Sequence, residues 1–176
     1  SHTTSGINER GNAKNGGTTG TSASITHGLT IYAGDVVIAM IHANLVSNTI
    51  TDNNGAYSFT QAIQEVSAES SVYAIFYRVA GSSEPATYQW TIQSASWSVL
   101  LRVFSGVDTS YIWDVPPSTS TRNYATSGTT GTAPSMTTSS DGAMGICFFI
   151  SDSTNTWSNP TNGYGTEVEQ STISAA

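Results

Sequence analysis

Apolar residues in this chain come in short runs, and many of those runs alternate with a period of two. In Tyr88-Gln89-Trp90-Thr91-Ile92 the large residues take every second place, as in a strand with one buried face. Ser71 to Ala80 alternates too, with Val72, Ala74 and Phe76 set against Tyr73, Ile75 and Tyr77. Asp35 to Val46 differs: a long run of Val, Ile, Ala and Met predicts a central strand buried on both faces. Further strands are predicted at Ser24 to Thr30, Tyr57 to Val66, Ser98 to Ser105, Thr132 to Thr138, Gly142 to Ile150 and Gly165 to Gln170. Between them, Asp52-Asn53-Asn54-Gly55 carries an Asn-Gly turn signal, and Gly81-Ser82-Ser83-Glu84-Pro85 breaks the chain again. Gly106 to Asn123, with Pro116-Pro117, reads as a long loop. No apolar stripe of period 3.6 is long enough to predict a helix.

Short strands with frequent turns predict an all-β fold, an antiparallel β-sandwich of jelly-roll or immunoglobulin-like type, spanning 23–176. Residues 1–22 are polar and rich in Gly and Thr, and predict an extended N-terminal arm or linker. The sandwich reads as two pseudo-repeats. The first runs from Gly34-Asp35 through an apolar strand to Asn54-Gly55-Ala56-Tyr57 and a polar strand. The second runs from Asp141-Gly142 through Gly145 to Ile150 and on to Asn162-Gly163-Tyr164 and a polar strand. The first copy continues into three more strands, whereas the second ends at Ala176. The expectation is a truncated second repeat, with its C-terminal strands missing or supplied by a neighbouring subunit through β-strand addition.

Composition narrows the function classes. Charged residues make up only 10% of the 176 positions, and Ser, Thr, Asn and Gly fill the difference, which disfavours helices. Five Lys plus Arg against twelve Asp plus Glu leave a formal net charge of −7. Phosphate backbones and anionic lipids both attract clustered cations, so nucleic acid is excluded as a partner and anionic membrane surfaces are disfavoured, and no apolar stretch approaches the roughly 18 residues that membrane insertion needs. Neutral glycans and other protein subunits remain. The single cysteine, Cys147, excludes a disulfide framework within the chain and reads as a buried structural thiol. The start at Ser1 shows no charged n-region or apolar h-region, which predicts that any signal peptide has been removed.

One string is specific enough to suggest a relationship. Tyr77-Arg78-Val79-Ala80-Gly81-Ser82-Ser83-Glu84-Pro85-Ala86-Thr87-Tyr88-Gln89-Trp90-Thr91 is similar to a YRVAGxSEPxxYxWT motif. That motif belongs to β-sandwich domains of bacterial secreted proteins and of phage structural or tail proteins. Gly34-Asp35-Val36-Val37 resembles the entry to their first core strand, Gly106-Val107-Asp108 their GVD, and Thr132-Ala133-Pro134-Ser135 their TAPS. The resemblance covers roughly Ile25 to Ala176. Trp113 departs from it, standing where the family has an aliphatic residue. The resemblance implies a β-sandwich on a virion or cell surface, outside the cell, and carries over no catalytic residue.

No Gly-x-Ser-x-Gly elbow, His-Glu-x-x-His or phosphate-cradling loop occurs. Glu65 with Glu69, or Asp108 with Asp114, are the carboxylate pairs a glycosidase would need, and both lie in polar sequence where solvated charge is commoner. His42, on the apolar central strand, reads as structural. No cofactor is expected. Calcium is the one metal the loops suit, through Asp108, Asp114 and Asp152. Glycan binding rests on aromatics outside the clearest strands, because sugar faces stack on rings: Trp157, Trp113, Tyr111 and Trp97. The same residues also suit plugs at the ends of a sandwich. The leading expectation is a non-catalytic structural or attachment module of a surface assembly. A carbohydrate-binding module is the alternative, and a glycan-degrading domain the second.

Overall fold

A computed structural model describes residues 6–45, 47–66, 71–123 and 130–150. Among them are eight strands: β1 (Asn8–Gly17), β2 (Ser22–Thr26), β3 (Val36–Asn44), β4 (Thr51–Asp52), β5 (Thr60–Val66), β6 (Ser71–Val79), β7 (Thr87–Thr91) and β8 (Trp97–Ser105). They form two antiparallel sheets, one ordered β1-β8-β3-β6-β5 and a smaller one ordered β2-β7-β4.

The core lies between the sheets. From the large sheet, Val37, Ala39, Ile41 and Ala43 of β3 meet Val72, Ala74 and Phe76 of β6 and Val99, Leu101 and Val103 of β8. Ala23 and Ile25 of β2, with Tyr88 and Trp90 of β7, close it from the small sheet. Phe59 stands edge-on to both Tyr88 and Trp90, with centroids 5.0 and 5.2 Å away, a geometry that suits the ring quadrupoles.

The uninterrupted apolar run of β3 has a direct cause. Its other side chains, Val36, Ile38 and Met40, face away from the core and form a second cluster with Ile75, Leu100 and Phe104. Val107, Ile112 and Trp113 pack over that outer face, as do Ile146, Phe148 and Ile150. The large sheet is therefore covered on both sides, and every β3 residue from Val36 to Ala43 is buried.

Two expectations are corrected here. The stretch read as part of an arm or linker contains β1, which pairs along its length with β8, from Asn8 opposite Ser105 to Gly17 opposite Trp97. Its apolar alternation is weak because it is an edge strand, and Gly17 is required by packing. A Cβ there would lie 2.7 Å from the Trp97 indole nitrogen. Thr132 to Thr138 and Gly142 to Ile150 form no strand. The period-two pattern of Ile146, Phe148 and Ile150 is satisfied by packing on the large sheet. Gly165 to Gln170 and Asn162-Gly163-Tyr164 lie outside the described residues. No helix among the described residues is long and apolar enough to cross a membrane.

Candidate binding face

The small sheet has one face in the core and one in solvent. In β2, Ala23 and Ile25 point inward, leaving Ser22, Ser24 and Thr26 outward; in β7, Tyr88 and Trp90 point inward, leaving Thr87, Gln89 and Thr91. Register aligns the outward residues in rows: Ser22 with Thr91, Ser24 with Gln89, Thr26 with Thr87, and Thr51 of β4 with Thr91. The hydroxyls of Thr26 and Thr87 lie 2.8 Å apart. The face is thus an array of hydroxyl and amide side chains with no charge among them.

One corner of this face is a groove of about 470 Å³, lined by Asn53, Asn54, Gly55, Tyr57, Pro85, Thr87 and Gln89. Local sequence shapes it. Strand β4 is only two residues long, and beyond it the Asn54 side chain takes over its pairing with β7. Asn54 Nδ2 donates to the Gln89 carbonyl at 2.9 Å, and the Gln89 amide donates to Asn54 Oδ1 at 2.9 Å. Gly55 then turns the chain at φ +57°, in the left-handed region that favours glycine, into a 3-10 turn ending at Tyr57. Gln89 Nε2 donates across to the Asn53 carbonyl at 3.2 Å, which holds that side chain over the strand.

Beside the groove lies the corner made by the Tyr77 to Thr91 string. The Glu84 carboxylate accepts from Gly81 N–H at 2.7 Å, Arg78 Nη2 at 2.9 Å and the Tyr88 hydroxyl. Burial, and then the hydrogen bond to Glu84, push the Tyr88 phenol far above its ordinary pKa. The Arg78 guanidinium lies 5.6 Å from the Tyr57 ring and 5.8 Å from the Phe59 ring, favourable cation–π placements. His27 stacks on Tyr88 at 5.1 Å. Its Nδ1 accepts from Leu29 N–H, leaving Nε2 to donate to the Pro85 carbonyl at 2.8 Å. This network ties the end of β2 to the β6–β7 turn and fixes the groove wall.

No family model matches the chain, and no curated protein or solved structure matches it either.

Those residues singled out from sequence that the structure describes lie away from this groove. Trp97 is 8% exposed and belongs to the core, against Gly17 and Gly20, so it presents no ring to a ligand. Trp113 is partly buried on the outer face of the large sheet, edge-on to Tyr77 at 5.5 Å. Tyr111 is 68% exposed. Trp157 and Asp152 lie outside the described residues. Asp108 accepts from the Ser110 amide, while Asp114 accepts from the Ser139 amide and the hydroxyls of Ser139 and Ser140. Those bonds, Ser140 first, hold the Asp114 carboxyl below the usual carboxylate range. No three His, Cys, Asp or Glu side chains converge among the described residues. Glu65 accepts from the Tyr73 hydroxyl and pairs with Arg122 Nε at 2.6 Å. Cys147 is partly buried, which pushes its thiol pKa up.

Proposed function

We propose that the chain is a non-catalytic structural and attachment module of an extracellular assembly, on a virion or cell surface, and that it makes contact through the outer face of the small sheet. The observation that carries this reading is the chemistry of that face. Its outward rows are Ser, Thr, Gln and Asn, set on a rigid two-sheet body whose ionic groups serve the fold. Among the described residues Arg10 pairs with Asp35, Arg78 with Glu84, Arg102 with Glu9 and Arg122 with Glu65. A surface of neutral donors and acceptors suits adhesion more than bond-breaking, which needs groups poised to carry protons or act as nucleophiles.

The same reading holds that the body is built from two related units on a jelly-roll or immunoglobulin-like plan. It rests on the sequence correspondence between Gly34-Asp35 through Asn54-Gly55-Ala56-Tyr57 and Asp141-Gly142 through Asn162-Gly163-Tyr164.

Adsorption tests the functional reading. The folded chain is passed over immobilised bacterial cell envelopes and neutral polysaccharides, and retention is followed by surface plasmon resonance. The expected result is retention of the parent and release of a Gln89→Arg, Thr91→Arg double variant, with no shortened glycan in the eluate. Equal retention of both proteins would place the contact elsewhere, and shortened oligosaccharides would replace attachment with degradation. Absence of retention on every surface would also end the reading.

A further inference from the structure

We propose that the groove beside β7 is a binding site for a neutral oligosaccharide. The inference rests on the attachment reading of the same face and names the ligand class that the groove takes.

Three observations carry it. The first is the lining. Asn53, Thr87 and Gln89 bring amide and hydroxyl groups and Tyr57 an aromatic ring, while both Asn54 N–H groups are taken, by Asp52 Oδ1 at 2.6 Å and the Gln89 carbonyl at 2.9 Å. This pairing matches a pyranose, whose axial C–H face stacks on a ring while its rim of hydroxyls exchanges hydrogen bonds with amides. Pro85 is the one other apolar side chain, too little to hold the apolar residues of a peptide.

The second is pre-organisation. The Asn54 amide is fixed in both directions by the Gln89 backbone, Gln89 Nε2 is held by the Asn53 carbonyl, and the Tyr57 ring is held by Arg78. The Gln89 side-chain oxygen and the Tyr57 ring are thereby positioned on the groove without having to be ordered by the ligand, which lowers the entropy cost of binding.

The third is charge. No ionisable group other than the Tyr57 phenol lines the groove, and the chain carries a formal −7. A polyanionic glycan or nucleic acid is repelled at long range, whereas a neutral chain is not. Beyond the groove, Thr91, Ser24 and Ser22 continue the hydroxyl rows, so a longer oligosaccharide extends across the face. A volume of about 470 Å³ lies within the range of small-ligand clefts.

The test is a 15N–1H NMR titration of the whole chain with cello-, manno- and chito-oligosaccharides, and with oligogalacturonate as the acidic control. The expected result is saturable shifts in the amides of 53–57 and 86–89 with at least one neutral series and none with the acidic one. Asn53→Ala and Gln89→Ala, both at exposed positions, each weaken that binding about tenfold, equivalent to about 1.4 kcal/mol. Tyr57→Ala weakens it further, and Thr60→Ala on β5 leaves it unchanged. Because Tyr57 also packs on the core, its variant counts only if the spectrum remains that of the folded chain. No shift with any neutral series, or shifts clustered outside the groove, overturns the inference. If envelopes still retain the chain in a Gln89- and Thr91-dependent way while no neutral oligosaccharide binds, the glycan assignment alone fails. Loss of both ends the attachment reading as well.

Discussion

Glu84 holds the corner next to the groove together, and its contacts set the cost of disturbing it. Its side chain is 3% exposed and that of its partner Arg78 11%, so removing one charge leaves the other buried without compensation. Glu84→Gln should destabilise the fold by about 3–5 kcal/mol, measured by urea unfolding. A loss below about 1 kcal/mol, the scale of an exposed ion pair, would contradict the network as described.

Tyrosine titration gives a second residue-scale prediction. Burial, and then the Glu65 charge, push the Tyr73 phenol from 10.0 to about 12, and Tyr88 is shifted further the same way. Because the fold favours the neutral phenol, this contribution to stability is complete below pH 10 and is lost as pH rises through about 12. Stability should therefore fall across that window, with tyrosinate absorbance rising as unfolding proceeds. Full tyrosine ionisation in a chain that remains folded would contradict it.

Two glycines separate packing from backbone strain. Gly17→Ala forces a methyl against Trp97 and should cost about 1–3 kcal/mol by overpacking. Gly55→Ala meets open space, and its cost of about 1–2 kcal/mol comes only from its left-handed φ. Thermal unfolding of both variants, together with the Trp97 fluorescence shift that only Gly17→Ala should show, tests the distinction.

At the scale of elements, the strands with strong apolar patterns were legible. The positions of β3, β6, β7 and β8 follow from runs and alternations in the sequence to within a few residues, because burial specifies them, whereas β5, with no buried residue, follows from its place after the Asn-Gly turn. Strand β1 was not legible: Asn-Glu-Arg-Gly-Asn-Ala-Lys-Asn-Gly-Gly has almost no apolar face, and its place depends on pairing with β8 and on room for Trp97. Conversely, Gly142 to Ile150 has the pattern of a strand and packs without a ladder, since period-two burial records which side chains are covered and not what the backbone pairs with. Hydrogen exchange checks β1. Amides of β1 bonded to β8 should exchange at least about tenfold more slowly than those of 107–111; uniformly fast exchange across 8–17 would return that stretch to a linker.

The candidate site was legible only as chemistry, not as location. Large aromatics outside the strands attract attention as sugar platforms, yet Trp97 and Trp113 bury apolar surface, which is the commoner fate of an indole. The groove is assembled instead from amides, hydroxyls and one tyrosine. The signal was present in Thr87-Tyr88-Gln89-Trp90-Thr91, where the alternation that marks Tyr88 and Trp90 as core equally marks an uncharged outer face. What the sequence does not display is the proximity of Asn53 to Gln89, which arises from a side chain standing in for backbone at the end of β4.

For the molecule as a whole, the two sheets differ in what they offer. The large sheet is covered on its inner face by the small sheet and on its outer face by 107–113 and 146–150, and its ionic pairs bind strand to strand. Among the described residues the outward side chains of the small sheet, Ser22, Thr26, Thr87, Gln89 and Thr91, are exposed, and that asymmetry is the ground on which contact is proposed there. The cover, together with 136–145 leading into it, is the rival surface, because these stretches expose Tyr111, Met136, Met144 and Phe149.

Hydrogen–deuterium exchange of the chain adsorbed to cell envelopes, compared with the chain in solution, separates the two directly. Contact through the small sheet predicts slowed exchange in 22–26, 51–57 and 85–91, with 107–113 and 136–150 unchanged. Slowing confined to the covering segment, with the small sheet unaffected, would contradict it.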